Sequence, residues 1–399
     1  MTYDFTTRLD RRGVGAEKWD AMLRDDANVP ADVVPLSIAD MEFRVAPPIL
    51  EALRAYVSDE VMGYTSPTEE FVEACLGWQR RRHDWEPKSE WATLSPGVVP
   101  AIFNAVRAFT EPVEGVVIQT PVYYPFRLAI QKNGRRVVTN PLVERDGRWE
   151  MDFEGLERAC AEPDVRLLVL CSPHNPVGRV WEKDELRRLV DICLAHDVTI
   201  VSDEIHDDLV MPGHTHTTLL NVMEPAEWEH AVICTAPSKT FNLAGCQCSV
   251  IYIPGEDLRT RYLRAAEETA AIGGMLNTFA YPACIAAYTQ CDEWLDELLQ
   301  VIDANAKHVS TRLSSELPGV KVADLEGTYL LWADFRSWGL PTDELATFMK
   351  EEAHLYLDDG ILFGDEGAGF ERINLAAPAS VLDEAIDRLV AAARARGLA

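Results

Sequence analysis

No C-x-x-C pair occurs in the chain, although it contains nine cysteines, at positions 75, 160, 171, 193, 234, 246, 248, 284 and 291. They stand singly, their number is odd, and the nearest approach is the C-x-C of Cys246 and Cys248. That spacing excludes a disulfide framework and a zinc site of the usual kind. Several sit in apolar runs such as LLVLCS and AVICTA, where cysteine behaves as a small hydrophobe. A reducing cytoplasm is the compartment expected. Positive charge is also scarce. Lys and Arg number 37 against 65 Asp and Glu, a net charge of −28. Such acidity disfavours nucleic acid and anionic membranes as partners, and names no substrate. No apolar run is long enough to span a bilayer. The start, MTYDFTTRLDRRG, lacks the apolar core of a signal peptide. Internal repeats and low-complexity segments are absent as well.

What is present is a chain of 399 residues, 47% hydrophobic, enough for a large core. That length predicts two domains, or one large domain with a smaller partner. Residues 1–45 read as a polar, loop-rich arm leading to a helix at about 47–58. In GYTSPTEEF, Ser66 or Thr68 is placed to cap the next helix, with Glu69 and Glu70 in its first turn. From about 93, short β-branched runs (GVVIQT, RLLVLCS, VTIVSDE, AVICTAPS, CSVIYIP) alternate with helical patterns such as EKDELRRLVDICLAHD. Runs of four to eight residues, apolar on both faces, read as strands of a covered parallel sheet, and the alternation predicts an α/β domain. After about 285 the pattern changes to a long helix, a strand-like KVADLEGTYLLWADF, the helical DELATFMKEEAH, a Gly-rich loop, the short strand RINLAAP and a closing helix. This reads as a smaller α+β domain.

In an open parallel sheet, ligands bind beyond the carboxyl ends of the strands. RLLVLCS is followed by PHNPVG, VTIVS by DEIH, and AVICTA by PSKTFN. Three successive strands therefore end in Asn175, in Asp203 with His206, and in Lys239. Each residue alone has an ordinary explanation: a turn, a helix cap, a structural histidine, a surface lysine. Together they form one chemistry. A lysine can form an imine with an aldehyde, a buried carboxylate favours a protonated pyridine nitrogen, and an amide can donate to a phenolate. These are the controls expected around pyridoxal phosphate.

SPHNPVGRVW, VSDEIHDDL, SKTFNLAG and GFERINLAAP together resemble the fold-type I pyridoxal-phosphate enzymes of the aminotransferase class I/II superfamily. More narrowly they resemble the MalY/PatB branch of cystathionine β-lyase-type C–S lyases. IADMEFRVAPP, GYTSPTEEF, LSPGVVPAI and TPVYYPF extend the likeness over nearly the whole chain. The resemblance implies an α/β fold of type I. Its large pyridoxal-phosphate-binding domain, with a mainly parallel central sheet, would span 46–285. The C-terminal small domain would span 286–399, and 1–45 would be the arm and part of the small domain. It implies that Lys239 carries the cofactor and moves the α-proton, that Asp203 meets the pyridine nitrogen, and that Asn175 meets the phenolic oxygen. His206 would lie beside the cofactor, and Tyr123 would stack on its ring. The backbone of Gly97, Val98 and Val99, with the Ser238 hydroxyl, would hold the phosphate. Tyr64 would reach the phosphate of a neighbouring subunit, so that a homodimer shares its active sites. Arg372 would bind the substrate carboxylate, with Asn175 and the Ile38-Ala39-Asp40 stretch nearby.

Two departures from the wider superfamily matter. His206 stands where most of its aminotransferases have tyrosine, and Gln247 where many have arginine. Both are spellings of the lyase branch, although Cys246 replaces the leucine that usually precedes the glutamine. The expected reaction is β-elimination from an L-cysteine S-conjugate, giving thiol, pyruvate and ammonia, with Lys239, Tyr123 or Tyr64 protonating the departing sulfur. One fold hosts many reactions. An aminotransferase acting on a small or aromatic amino acid, and an interaction partner of a transcriptional regulator, therefore stand as alternatives.

Overall fold

Residues 2–25, 29–30, 32–59, 61–145, 147–269 and 276–399 are described by a computed structural model. Seven strands make the central sheet: β1 (Ala92–Ser95), β2 (Gly115–Ile118), β3 (Arg136–Thr139), β4 (Val165–Cys171), β5 (Thr199–Asp203), β6 (Ala231–Thr235) and β7 (Ser249–Tyr252). Their order is β1-β7-β6-β5-β4-β2-β3. The pairings from β6 through β3 are all parallel. β7 runs antiparallel to both β6 and β1. The sheet is therefore mainly parallel, but CSVIYIP is not one of its parallel strands. A parallel return needs a crossover, usually a long helix. Here the link between β6 and β7 holds only the short helix Pro237–Thr240 and the turn Ala244–Cys246, and much of it lines a cleft at the strand ends.

Both faces of the sheet are covered, which is why its runs are apolar at every position. Along β4, Leu168 and Leu170 enter a core with Trp78, Leu189 and Phe241, whereas Leu167, Val169 and Cys171 enter a core with Ile102, Val106 and Phe126. Each such side chain, fully buried, contributes about 1.5–3 kcal/mol. Helix Glu69–His83 begins as its sequence directs. The Thr68 hydroxyl accepts the Phe71 N–H at 3.2 Å, and the acidic first turn faces a basic last turn, Arg80 to His83.

The second sheet consists of β8 (Lys321–Val322), β9 (Leu330–Asp334), β10 (Asp358–Asp359) and β11 (Phe370–Asn374), ordered β8-β9-β11-β10 and antiparallel throughout. Its core joins Leu331 and Ile373 to Leu313 of helix Asp292–Glu316 and Leu389 of helix Ala379–Arg396. DELATFMKEEAH forms helix Thr342–Thr347 and then a wider turn, Phe348–Glu352. Two segments belong to both cores. Val34 and Leu36 pack with the second sheet, but Met41 and Phe43 pack with the first. Trp294 and Leu298 of the long helix face the larger core, and Val309 and Leu313 the smaller. Residues 37–40 thus cross between the two bodies beside the cleft.

Candidate active site

β4, β5 and β6 are adjacent, with Cys171 opposite Asp203 and Asp203 opposite Cys234, so their polar endings meet at one rim. Asp203 is buried at the end of β5, where one oxygen accepts the Ile205 N–H at 3.1 Å. Among the described residues no cation forms an ion pair with it. Burial pushes its carboxyl up to about 7, against the opposing pull of the Ile205 amide and of Lys239. Lys239, in the short helix after β6, donates from Nζ to the Ala39 carbonyl at 2.6 Å. Burial, and then repulsion from Arg372, lower its ammonium to about 8. Each group therefore holds its charge weakly at neutral pH.

Asn175 Oδ1 accepts a hydrogen bond from Arg372 Nη1 at 2.9 Å. That contact leaves the amide nitrogen as the group Asn175 can turn toward the cleft. His206 is buried edge-on to Tyr329, with ring centroids 6.1 Å apart, and its Nδ1 has no partner among the described residues. Burial, with Lys239 and Arg372 nearby, drives its pKa well below the ordinary histidine value, so the ring is neutral. Tyr123 donates its backbone N–H to the Asn175 carbonyl at 3.1 Å, and burial raises its phenol. Gly97, Val98 and Val99 open helix Val98–Phe109, whose first N–H groups have no partner within the helix. They line the same cleft as Tyr123, Asn175, Asp203, His206, Ser238, Lys239 and Ala39. Gln247 and Ser249 line it too, and the Ser249 hydroxyl is buried without a partner among the described residues. The cleft encloses about 720 Å³, part of it open solvent. Small-molecule sites commonly span about 300–1,000 Å³.

Two expected residues stand apart from the cleft lining. Arg372, buried on β11, reaches the site through Asn175, and its other side holds Asp358 Oδ2 at 3.2 Å from Nε and 2.5 Å from Nη2. Tyr64 lies between helices Pro47–Asp59 and Glu69–His83 and is 87% exposed. Cys246 is half-buried beside the cleft-lining Gln247 and Cys248.

Sequence reasoning missed two residues. Tyr329 is buried and donates its hydroxyl to the same Ala39 carbonyl at 2.9 Å. At the head of the apolar strand TYLLW it reads only as core. Asp358 joins Arg372 to the crossing segment, since it also accepts the Ile38 N–H at 3.0 Å. Ile38 has φ of 47°, a left-handed backbone rare for a β-branched residue. Asp358 and Asn374, whose side-chain amide donates to the Ile38 and Asp40 carbonyls at 2.7 Å, hold it there. Nothing in YLDDG distinguishes Asp358 from a turn residue.

A mainly parallel sheet with lysine, carboxylate and amide at consecutive strand ends, a helix N-terminus at the same cleft and a smaller antiparallel domain beside it define the type I fold. Within that fold, the family model described as Aminotransferase class I and II matches residues 31–389, and the chain belongs to that family. It is 41% identical over 389 residues to cystathionine beta-lyase PatB of Bacillus subtilis, covering 98% of this chain and 99% of that one. It is 32% identical to protein MalY of Escherichia coli, over 98% and 99% of the two chains. Cystalysin from Treponema denticola, solved with pyridoxal 5'-phosphate, superposes with a TM-score of 0.96 at 44% identity, over 99% of this chain and 100% of that one. Among the described residues, no helix is long and apolar enough to cross a membrane.

Proposed function

We propose that the chain is a pyridoxal-phosphate-dependent C–S β-lyase that cleaves an L-cysteine S-conjugate into a thiol, pyruvate and ammonia. The carrying observation is the meeting of Lys239, Asp203 and Asn175 at one cleft, in a chain similar along nearly its full length to proteins named cystathionine beta-lyase. The residues fit the cofactor. Among the described residues, Asp203 is a buried carboxylate without an ion-pair partner, and His206 and Ser249 hold unpartnered polar atoms; Lys239 is an amine whose proton is loosely held. When bound, pyridoxal phosphate supplies an electron-withdrawing ring that acidifies the substrate Cα–H.

Lys239 Nζ would hold the cofactor's carbonyl carbon and, once displaced by the substrate amine, take the α-proton. Asp203 would face the ring nitrogen and favour its protonated form. Asn175 Nδ2 would donate to the phenolic oxygen, and Tyr123 would pack on the ring. The N–H groups of Gly97, Val98 and Val99, with Ser238 Oγ, would hold the phosphate. Arg372, oriented by Asp358, would take the substrate carboxylate, with the Ala39 segment closing over it. The electron pair freed from the Cα–H bond would form a Cα=Cβ double bond as the Cβ–S bond breaks and its own pair leaves with sulfur. Sulfur then takes a proton from Lys239, Tyr123 or the partner subunit's Tyr64, and water releases the remaining three carbons as pyruvate with ammonia. The purified protein, loaded with cofactor and given L-cystathionine, is expected to yield pyruvate and free thiol in equal amounts. Pyridoxamine phosphate accumulating without thiol would replace this reading with an aminotransferase.

The proposal includes a homodimer in a reducing cytoplasm, where all nine cysteines remain thiols. Val57, Val61, Met62 and Tyr64 are 58%, 85%, 49% and 87% exposed on one stretch, a density of exposed apolar side chains that a second copy would cover. Tyr64→Ala and Lys239→Ala homodimers are each expected to be nearly inactive. Reassorted together they should regain about a quarter of wild-type activity, because half the dimers then hold one intact site. A mixture no more active than the sum of its parents would remove Tyr64 from the partner's site.

A further inference from the structure

Beneath the turn that carries Lys239 lies a buried charged cluster that the reaction described above does not use. Asp208 is its centre. The Trp78 indole N–H is shared between its two oxygens at 3.0 and 3.2 Å, His83 Nε2 lies 2.8 Å from Oδ1, and the Thr240 hydroxyl donates to Oδ2 at 2.7 Å. Trp78, His83, Asp208 and Thr240 are all buried. His83 also faces Asp207 Oδ2 at 3.4 Å and the ring of His216 at 5.8 Å. Glu204, which accepts from His216 at 3.0 Å, and Arg82 complete the charges around the pair. Burial opposes a charge on His83, but the carboxylates outweigh it and raise the imidazole to about 9. Asp208 stays ionised, held down by His83 and Thr240, while burial and Asp208 push the Asp207 carboxyl well up.

An ion pair this deep is a weak source of stability, since apolar residues of similar volume do as well. Its connections are more specific. Thr240 directly follows Lys239 in the four-residue helix Pro237–Thr240. Asp208 ends the turn 205–208, which contains His206 and closely follows Asp203 at the end of β5; Asp203 and His206 both line the cleft. One carboxylate therefore ties the segment bearing the amine to the segment bearing the buried carboxylate.

We propose that Asp208, charge-balanced by His83, is a positioning residue that acts through the Thr240 hydroxyl to set Lys239 Nζ relative to Asp203. This rests on Lys239 being the residue that holds the cofactor. The sign of its pH dependence follows from His83. A histidine raised from 6.5 to about 9 supports the folded arrangement fully below 6.5, and that support is lost as pH rises through about 9.

Thr240→Val keeps the side-chain shape and removes the donor, whereas Thr240→Ser keeps the donor. In holoenzyme, T240V is expected to move the pH midpoint of the resting cofactor's visible absorption change by about 0.5 or more. It should lower kcat about tenfold while KM stays within about twofold. T240S should return both to wild type, and Thr240→Ala, measured in the same way, substitutes for T240V if that variant does not fold. A T240V protein with wild-type absorption titration and kcat, whatever its Tm, would overturn the inference. Absence of any lysine-bound cofactor band in wild type would overturn it together with the proposed function. A normal wild-type band with an unaltered T240V band overturns it alone.

Discussion

Lys239→Ala is expected to abolish formation of thiol and pyruvate, a loss of about 10⁴-fold or more, because in the proposed reaction one amine would perform two tasks that no neighbour can take over. On the proposed function it would hold the cofactor's carbonyl carbon and would carry the proton that leaves the substrate Cα. The groups nearest in kind are unsuited. His206 is buried and neutral, and burial raises the Tyr123 phenol. Lys239→Arg should fare no better, since a guanidinium stays charged at every working pH. The wild-type amine makes a further effect measurable. Its ammonium is lowered to about 8 by burial and by Arg372. The rate at which apoprotein takes up pyridoxal phosphate, followed by visible absorption, should therefore climb about tenfold per pH below 8 and level off above it. A plateau reached only near pH 10 would show an ordinary solvated lysine. A K239A protein with wild-type turnover would remove Lys239 from the chemistry.

The candidate residues that the sequence singles out without any resemblance share one property: they interrupt a pattern. Asn175, Asp203 and Lys239 are polar groups set directly after apolar runs, and the ends of parallel strands have a known use. Arg372 breaks no such pattern, because it stands beside Glu371 inside the short strand FERIN rather than after an apolar run. Only the tertiary fold shows that the arginine on β11 reaches Asn175 and is held by Asp358. Tyr64 was visible through family resemblance alone, and a single chain leaves it in solvent. The direction of β7 was hidden for another reason. An antiparallel strand buried on both faces carries the same apolar run as a parallel one, and only the pairings distinguish them. His83 illustrates a third kind of loss. After three arginines at the end of a helix, it reads as part of a solvated basic turn, yet it is buried against Asp208.

Asp203→Asn is expected to have opposite effects on the apoprotein and on the reaction. In apoprotein the carboxyl is raised from 3.8 to about 7, chiefly by burial. A group raised in this way stabilises the folded state fully below 3.8, and the contribution is lost as pH rises through 7. At pH 8 the wild-type apoprotein carries a buried anion with no ion-pair partner among the described residues, a penalty of at most about 4 kcal/mol. Asparagine removes that charge and can still accept the Ile205 N–H. D203N apoprotein should therefore melt higher than wild type at pH 8, and the advantage should vanish toward pH 4. The reaction should move the other way. An amide cannot stabilise a protonated ring nitrogen by charge, so kcat/KM should fall by about 10²–10³ with the cofactor still bound through Lys239. Thermal melts of both apoproteins across that pH range, read beside turnover of the loaded enzymes, test the two halves separately. A higher melting point with full activity would leave Asp203 buried but without a part in the chemistry. Lost activity with no gain in apoprotein stability would mean that water or a nearby cation already satisfies its charge.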